Sequence, residues 1–298
     1  MRYLPLGKSE IKISEIGFGC MSLNDNSKSN QSLIMKAFEN GITYFDTADL
    51  YNHGDNERLV GDALRPIRSQ VIISTKVGNV WRKDGSGWDW KPSKSYILQA
   101  VESSLERLQT DYIDLYMLHG GTLDDPVEEI IEAFELLKDQ GKIKTYGLSS
   151  IRPNVIREYV NKSGIDAVMM QYSLLDRRPE EACLDFLYEN KISVLARGTL
   201  AKGLLAGKDP MAYLDFSADE VSKLQDALRE IAGEGRLASE IAVRYALDHP
   251  AINSAVIGIR TNEQLQDAIR ISTAKSLNEK ELAYLRSVSA PMKYREHR

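Results

Sequence analysis

Eight times along this chain a short β-branched or aromatic run is followed by a longer segment with helical periodicity, and that alternation restricts the folds open to it. The runs are EIGFG (15–19), TYFDTA (43–48), VIISTK (71–76), YIDLYMLH (112–119), IKTYGLSS (143–150), AVMMQYS (167–173), SVLARGT (193–199) and SAVIGI (254–259). Helices are expected behind them near 30–39, 56–65, 93–109, 126–140, 153–162 and 179–190. A pair near 218–232 and 237–249 follows the seventh run, and 261–271 follows the last. In 93–109, for example, Ile97, Val101, Leu105 and Leu108 share one face. Strands alternating with helices pair in parallel through crossovers. Eight such units in roughly 250 residues match a closed (β/α)8 TIM barrel. A doubly wound open sheet is the alternative, but no G-x-G-x-x-G follows the first strand as that fold's dinucleotide site would want. YLPLGKSEIKIS (3–14) reads as an additional N-terminal β-hairpin, and 278–289 as an extra C-terminal helix. No low-complexity linker divides the chain, so residues 1–298 are read as a single barrel domain.

Composition excludes several classes. A net charge of −5 gives no electrostatic reason to expect nucleic acid or an anionic membrane as partner. MRYLPLGKSEIKIS lacks the apolar stretch of a secretory signal, and no later segment has the length and apolarity to span a bilayer. Cys20 and Cys183 are far apart, without metal or redox spacing, and read as free thiols of a cytoplasmic protein. Four histidines are few for a histidine-rich metal site.

Three segments interrupt the compact pattern: 77–92 after the third strand, 199–217 after the seventh, and a polar, open-ended 289–298. Long loops at the C-terminal ends of barrel strands are where such enzymes build their sites. The residues ending the strands are therefore informative. The second strand ends at Asp46 with Tyr51 in its loop, the third at Lys76 and the fourth at His119. The fifth ends at Ser149 and Ser150, the sixth places Gln171, and the seventh runs into Arg197, Gly198 and Thr199.

Two readings stand for Lys76. It snorkels to solvent while Asp46 caps a turn, or its ammonium lies inside the barrel mouth and takes Asp46 as the partner that burial demands. Tyr51 is a surface aromatic of a polar loop, or a phenol beside that ammonium. An ammonium stabilises phenolate, the state a tyrosine must reach to donate its proton. His119 is a satisfied core histidine or a hydrogen-bond donor to a substrate oxygen.

FDTADLY, the STK ending at Lys76, and LQTDYIDLYMLH resemble signatures of the aldo-keto reductase superfamily. IRPNVIREY, MQYSLLDRRPEE and ARGTLAKGLL resemble its bacterial family 11-type members, in the family's order, over residues 2 to 290. The resemblance implies a (β/α)8 barrel closed below by its hairpin, and metal-free reduction of aldehydes or ketones with NADPH. Asp46, Tyr51, Lys76 and His119 match the catalytic tetrad. Tyr51 would protonate the carbonyl oxygen, Lys76 held by Asp46 would ease that proton's release, and His119 would orient the carbonyl. Ser149 and Gln171 match positions on the nicotinamide carboxamide, and Gly19, Cys20 and Met21 a loop beside the cofactor. Gly198, Leu200, Lys202 and Gly203 match the loop over the pyrophosphate, where small residues let backbone approach phosphate. Gly258, Arg260 and Thr261 open the last barrel helix, with Arg260 suited to fork onto a 2′-phosphate, Gln264 to assist, and Asp267 to reach adenine or ribose. Three positions depart from the family: Ser150 for Asn, Arg197 for the aromatic that stacks on nicotinamide, and Ala268 for an Asn at adenine.

Trp81, Trp88 and Trp90 crowd the loop after Lys76, as loop anchors or as an aromatic wall for an apolar or extended substrate. His53 and Asp55 read as solvated. Two further function classes are set against the reductase. One is an NADPH-binding sensor or regulatory subunit with little turnover, and the other a metal-dependent hydrolase using Asp46, Asp49 and His119. The tetrad argues against the first, Lys76 and the few histidines against the second. No interface helix stands out, so a monomer acting on a small carbonyl substrate is expected.

Overall fold

A computed structural model describes residues 1–23 and 27–298. Its strands, in chain order, are β1 (Tyr3–Pro5), β2 (Lys12–Ser14), β3 (Ile16–Gly19), β4 (Tyr44–Asp46), β5 (Ile72–Val77), β6 (Asn79–Trp81) and β7 (Trp88–Trp90). There follow β8 (Ile113–Leu118), β9 (Ile143–Ser149), β10 (Ala167–Gln171), β11 (Ser193–Arg197) and β12 (Ile252–Gly258). The helices are α1 (Ser27–Glu39), α2 (Asp55–Leu64), α3 (Lys94–Leu108), α4 (Val127–Asp139), α5 (Pro153–Lys162), α6 (Leu184–Glu189), α7 (Ala218–Ala232), α8 (Ala238–Leu247), α9 (Asn262–Thr273) and α10 (Glu279–Val288). Eight strands, β3, β4, β5, β8, β9, β10, β11 and β12, close into an all-parallel barrel in chain order, β12 pairing back onto β3. This is the (β/α)8 TIM barrel that the alternation predicts.

Parallel barrel strands are buried on both faces, which is why they read as continuous apolar runs; β8 is buried along its whole length. The inward face packs Tyr44, Leu115, Met117, Met169, Leu195 and Val256 together with Leu6 and Ile13 of the N-terminal hairpin. The hairpin plugs the floor: Gly7 N donates to Ser193 Oγ at 2.7 Å and Lys8 N to Asp166 Oδ1 at 2.8 Å. Buried carboxylates at that end are paired. Asp114, for instance, accepts from Arg68 at 2.8 Å, Lys144 at 2.9 Å and Ile73 N at 3.0 Å. With the floor closed, the opposite rim is left for chemistry.

Three expectations need correction. The segment 77–92 is a β-hairpin, β6 against β7, because its alternating VW and WDW runs face each other across a turn closed by Arg82 N to Gly87 O at 2.9 Å. The single helix over 179–190 is split into a turn at Arg178–Glu181 and α6. Glu180 is drawn inward by Tyr172 OH (2.9 Å), Tyr245 OH (2.6 Å) and Arg177 (2.8 Å), and Ala182 leaves helical geometry. The tail 289–298 is not open-ended. Ser289 is fully buried, Tyr294 N donates to Glu181 Oε2, and Asn154 N donates to His297 O, so the tail lies back on the barrel.

Candidate active site

Asp46 ends β4 and Lys76 stands one residue short of the end of the neighbouring β5. Lys76 does not snorkel. It is 1% exposed, and its Nζ donates to both oxygens of Asp46 at 2.8 Å and to Thr47 O at 2.7 Å. Asp46 also accepts from Ser74 Oγ at 2.7 Å, and Ser74 Oγ is 2.9 Å from Tyr44 OH. Burial alone would press the Lys76 ammonium toward neutrality. The Asp46 carboxylate outweighs it and holds the ammonium above the ordinary lysine range.

Tyr51 begins a short turn, Tyr51–Gly54, and the Lys76 Nζ lies 5.2 Å from the centre of its ring. Opposite stands His119, one residue past β8, edge-on to Tyr51 with ring centres 6.0 Å apart. Burial, then the cations Lys76 and Arg197, push the imidazole down to about 3, so it is neutral at physiological pH. Its Nδ1 is buried with no hydrogen-bond partner among the described residues. A neutral imidazole beside a phenol and a buried ammonium is a donor set suited to a polarised oxygen. The turn after Tyr51 is backbone-strained. Asn52, His53 and Gly54 all have positive φ (47°, 55° and 91°), and non-glycine residues held this way cluster at functional sites.

Among the described residues, two of the three tryptophans are tied down by their indole N–H groups and one is not. Trp81 lies against the Tyr51–Gly54 turn, its indole N–H donating to Leu50 O at 3.1 Å and its ring stacked on His53 at 3.8 Å. His53, expected to be solvated, is exposed yet carries that stack. Trp90 anchors the hairpin's other strand through Nε1 to Asp125 Oδ1 at 2.8 Å, whereas Trp88 is 48% exposed.

The residues expected at a cofactor lie on the same rim. Gly19 ends β3; Cys20 is turned inward, where burial and then Asp46 raise its thiol far above the usual range, and Met21 is exposed. Ser149 ends β9, Gln171 ends β10, and Gln171 pairs in register with Arg197 at the end of β11. Ser150 caps locally, its Oγ accepting from Arg152 N at 3.2 Å. Beyond Gly198 and Leu200, the consecutive residues Ala201, Lys202 and Gly203 have φ of 45°, 58° and 93°. Ala201 N donates to Gly198 O and Gly203 N to Leu200 O, both at 2.8 Å, so the run closes the loop on itself. Thr261 caps α9 by accepting from Gln264 N at 3.2 Å, and Gln264 Oε1 accepts from Arg260 N at 2.8 Å, so Gln264 acts by fixing the backbone of Arg260. Ala268 is buried in the core. Asp46, Asp49 and His119 form no three-ligand cluster; among the described residues no group of three acidic, histidine or cysteine side chains has metal-holding geometry.

Three contributions escape a reading of the chain. A cavity of about 300 Å³ joins Arg260, Thr261, Asn262 and Glu263 to Ser29, Ser32 and Leu33 of α1, with Lys36 Nζ donating to Asn262 Oδ1 at 3.1 Å. A second, of about 310 Å³, sets Asp267 of α9 against Leu204–Gly207, Arg229 and Ser239. Tyr213, in the 199–217 loop, hydrogen-bonds the Gln171 side chain. Their serines, leucines and tyrosine carry no local signal; only the packing of distant segments puts them at the rim.

Comparison with known proteins fits this geometry. A model of the aldo/keto reductase family matches residues 15–290. The chain is 48% identical to the uncharacterized oxidoreductase YqkF of Bacillus subtilis (strain 168), covering 100% of both chains. It is 34% identical to the NADH-specific methylglyoxal reductase of Escherichia coli (strain K12), over 73% of each. Of solved structures, aldo-keto reductase AKR11C1 from Bacillus halodurans in its holo form superposes with a TM-score of 0.94 at 44% identity, covering 100% of this chain and 99% of that one. Its apo form superposes with a TM-score of 0.86, at 42% identity and the same coverage.

Proposed function

The chain belongs to the aldo/keto reductase family of oxidoreductases, and from that premise we propose that it reduces aldehydes or ketones to alcohols with NADPH, Tyr51 donating the proton. The observation that carries this reading is the ammonium of Lys76, fully buried, clamped by Asp46 and facing the ring of Tyr51. Bound at this rim, reduced nicotinamide would supply the hydride. The chain's own residues handle the oxygen and its proton. Tyr51 releases its hydroxyl proton to the carbonyl oxygen, and Lys76 stabilises the phenolate left behind. Asp46 and Thr47 O keep that ammonium charged and aimed. His119, neutral, donates to the same carbonyl oxygen and sets its direction.

Coenzyme choice does not follow from family membership, since the Escherichia coli relative is named for NADH. The preference for NADPH rests on Arg260 at the mouth of the cavity shared with α1, backed by the α9 N-terminus. Ser149 and Gln171 would hold the carboxamide, with Gly19, Cys20 and Met21 alongside. The loop of Gly198, Leu200, Lys202 and Gly203, where small residues let backbone come close, would lie over the pyrophosphate, and the cavity at Asp267 would take the adenosine end. Trp81 and Trp88 would border an apolar or extended carbonyl substrate. A monomer in the cytosol is the setting we propose, and the two free, buried cysteines suit a reducing compartment.

The test is loss of reduced-nicotinamide absorbance with NADPH and with NADH over aromatic and aliphatic aldehydes, Tyr51→Phe run alongside. Turnover with NADPH that drops on the order of a hundredfold or more in the variant supports both parts. Undiminished turnover in the variant assigns the proton to another group, and none in the parent, despite coenzyme binding, defeats the reductase reading.

A further inference from the structure

Asp49 lies between Asp46 and Tyr51 in the catalytic loop, and the chemistry above leaves it unused. It is 9% exposed, and its backbone N–H points at Lys76 O from 3.4 Å. The carboxyl accepts from Leu50 N–H, while Oδ1 is buried with no hydrogen-bond partner among the described residues. The titratable groups that face it are Glu57 from α2, Arg107 and Tyr96 from α3, Lys76 from β5 and Tyr116 from β8. The Tyr116 hydroxyl is likewise buried and unpartnered among the described residues.

Both cations in that set are already committed. Arg107 Nε and Nη2 each lie 2.6 Å from Glu57 Oε2, and the other Glu57 oxygen accepts from Thr75 Oγ1 at 2.6 Å. Lys76 is clamped by Asp46. Asp46 and Glu57 thus balance Lys76 and Arg107, and an ionised Asp49 would add an uncompensated negative charge in a desolvated volume. In keeping with that count, burial first and Glu57 second push the Asp49 carboxyl up to about 8, against the pull of Arg107 and Lys76.

We propose that Asp49 is a positioning residue that serves as a neutral carboxylic acid, holding the 46–51 segment in place, and that on ionising it competes with Asp46 for Lys76 and loosens that segment. The inference rests on the reductase reading only for its effect on turnover. It gives the site an alkaline sensitivity separate from the proton donor's own.

Asp49→Asn keeps the shape and the neutral state but cannot ionise. Infrared spectroscopy of the full chain should show the carbonyl stretch of a protonated acid at neutral pH, fading as pH passes about 8 and missing from D49N. Amide exchange over residues 46–54, compared at the same alkaline pH, should be several-fold faster in the parent than in D49N. At neutral pH the two should agree, with Asp49→Ala faster than both. Where turnover is measurable, the parent's kcat should fall earlier on the alkaline side than that of D49N, with KM for coenzyme little changed. An infrared band unaffected by D49N overturns the proposal, as does equal alkaline exchange in the two proteins. Failure of the reductase reading would show separately, as absent turnover with the infrared and exchange results intact.

Discussion

Trp90 fills the space into which Gly78 would project a side chain: a Cβ built on Gly78 would lie 2.5 Å from the indole ring. Gly78 has φ of +126°, and Gly120, at +142°, meets the same ring at 3.3 Å. The tryptophan hairpin is thus seated on two glycines at the ends of β5 and β8, the strands that carry Lys76 and His119.

From that seat Trp90 and Trp81 should separate by readout. Trp90→Ala removes a half-buried ring and should cost about 2 kcal/mol of stability in urea denaturation. Gly78→Ala, strained and crowded, should cost a similar amount. Trp81→Ala, which loses a hydrogen bond and a stack, should cost about 1 kcal/mol and in addition raise KM for bulky aldehydes. A large stability loss in the Trp81 variant with unchanged KM would make it an anchor too.

Asp46 and Lys76 should behave as a unit. Removing one partner leaves a buried unpaired charge, so Asp46→Asn or Lys76→Met alone should lose about 3 kcal/mol. The double variant should lose clearly less than the sum. Additive losses would mean that the two charges do not depend on each other.

Arg260 is expected to select the coenzyme. Losing a charge-assisted pair to phosphate is worth about 1.5–3 kcal/mol, so Arg260→Ala should weaken NADPH about tenfold or more while changing NADH little. Fluorescence titration with both coenzymes decides it, and equal weakening of the two would place Arg260 away from the 2′-phosphate.

His119 should make the fold acid-sensitive. Its value of about 3 in the folded chain lies below the ordinary histidine value of about 6.5. The unfolded chain therefore takes up a proton first, and stability present above about 6.5 is lost as pH falls toward 3. By that linkage His119→Gln should reduce the loss between neutral pH and about pH 4 by about 3 kcal/mol, read from urea midpoints along the series. Parallel pH curves for the two proteins would count against a buried neutral imidazole.

Much of this was legible in the chain. VIISTK and YIDLYMLH announce barrel strands because both their faces are buried, and a position within one residue of the strand's end puts Lys76 and His119 at the rim. Capping is equally local: Ser93, Ser217, Thr261 and Asn278 start helices where the pattern expects them. The β6–β7 hairpin was hidden because the polar, glycine-containing run RKDGSG (82–87) between its strands reads as part of one long loop. The break before α6 was hidden because Glu180 answers to Tyr172 and Tyr245, which no local pattern connects.

The sequence by itself determined the order of the elements, the barrel they close, and which side chains end the strands. Those properties are written in residues a few positions apart, through periodicity, caps and turns. Only the tertiary structure decided that Lys76 is buried and clamped rather than snorkelling, that Trp90 reaches Asp125 while Trp81 meets the Tyr51–Gly54 turn, and that Asp49 faces two cations already taken. Desolvation and charge balance depend on what the rest of the chain brings within a few ångströms, and neighbours on a strand do not reveal it.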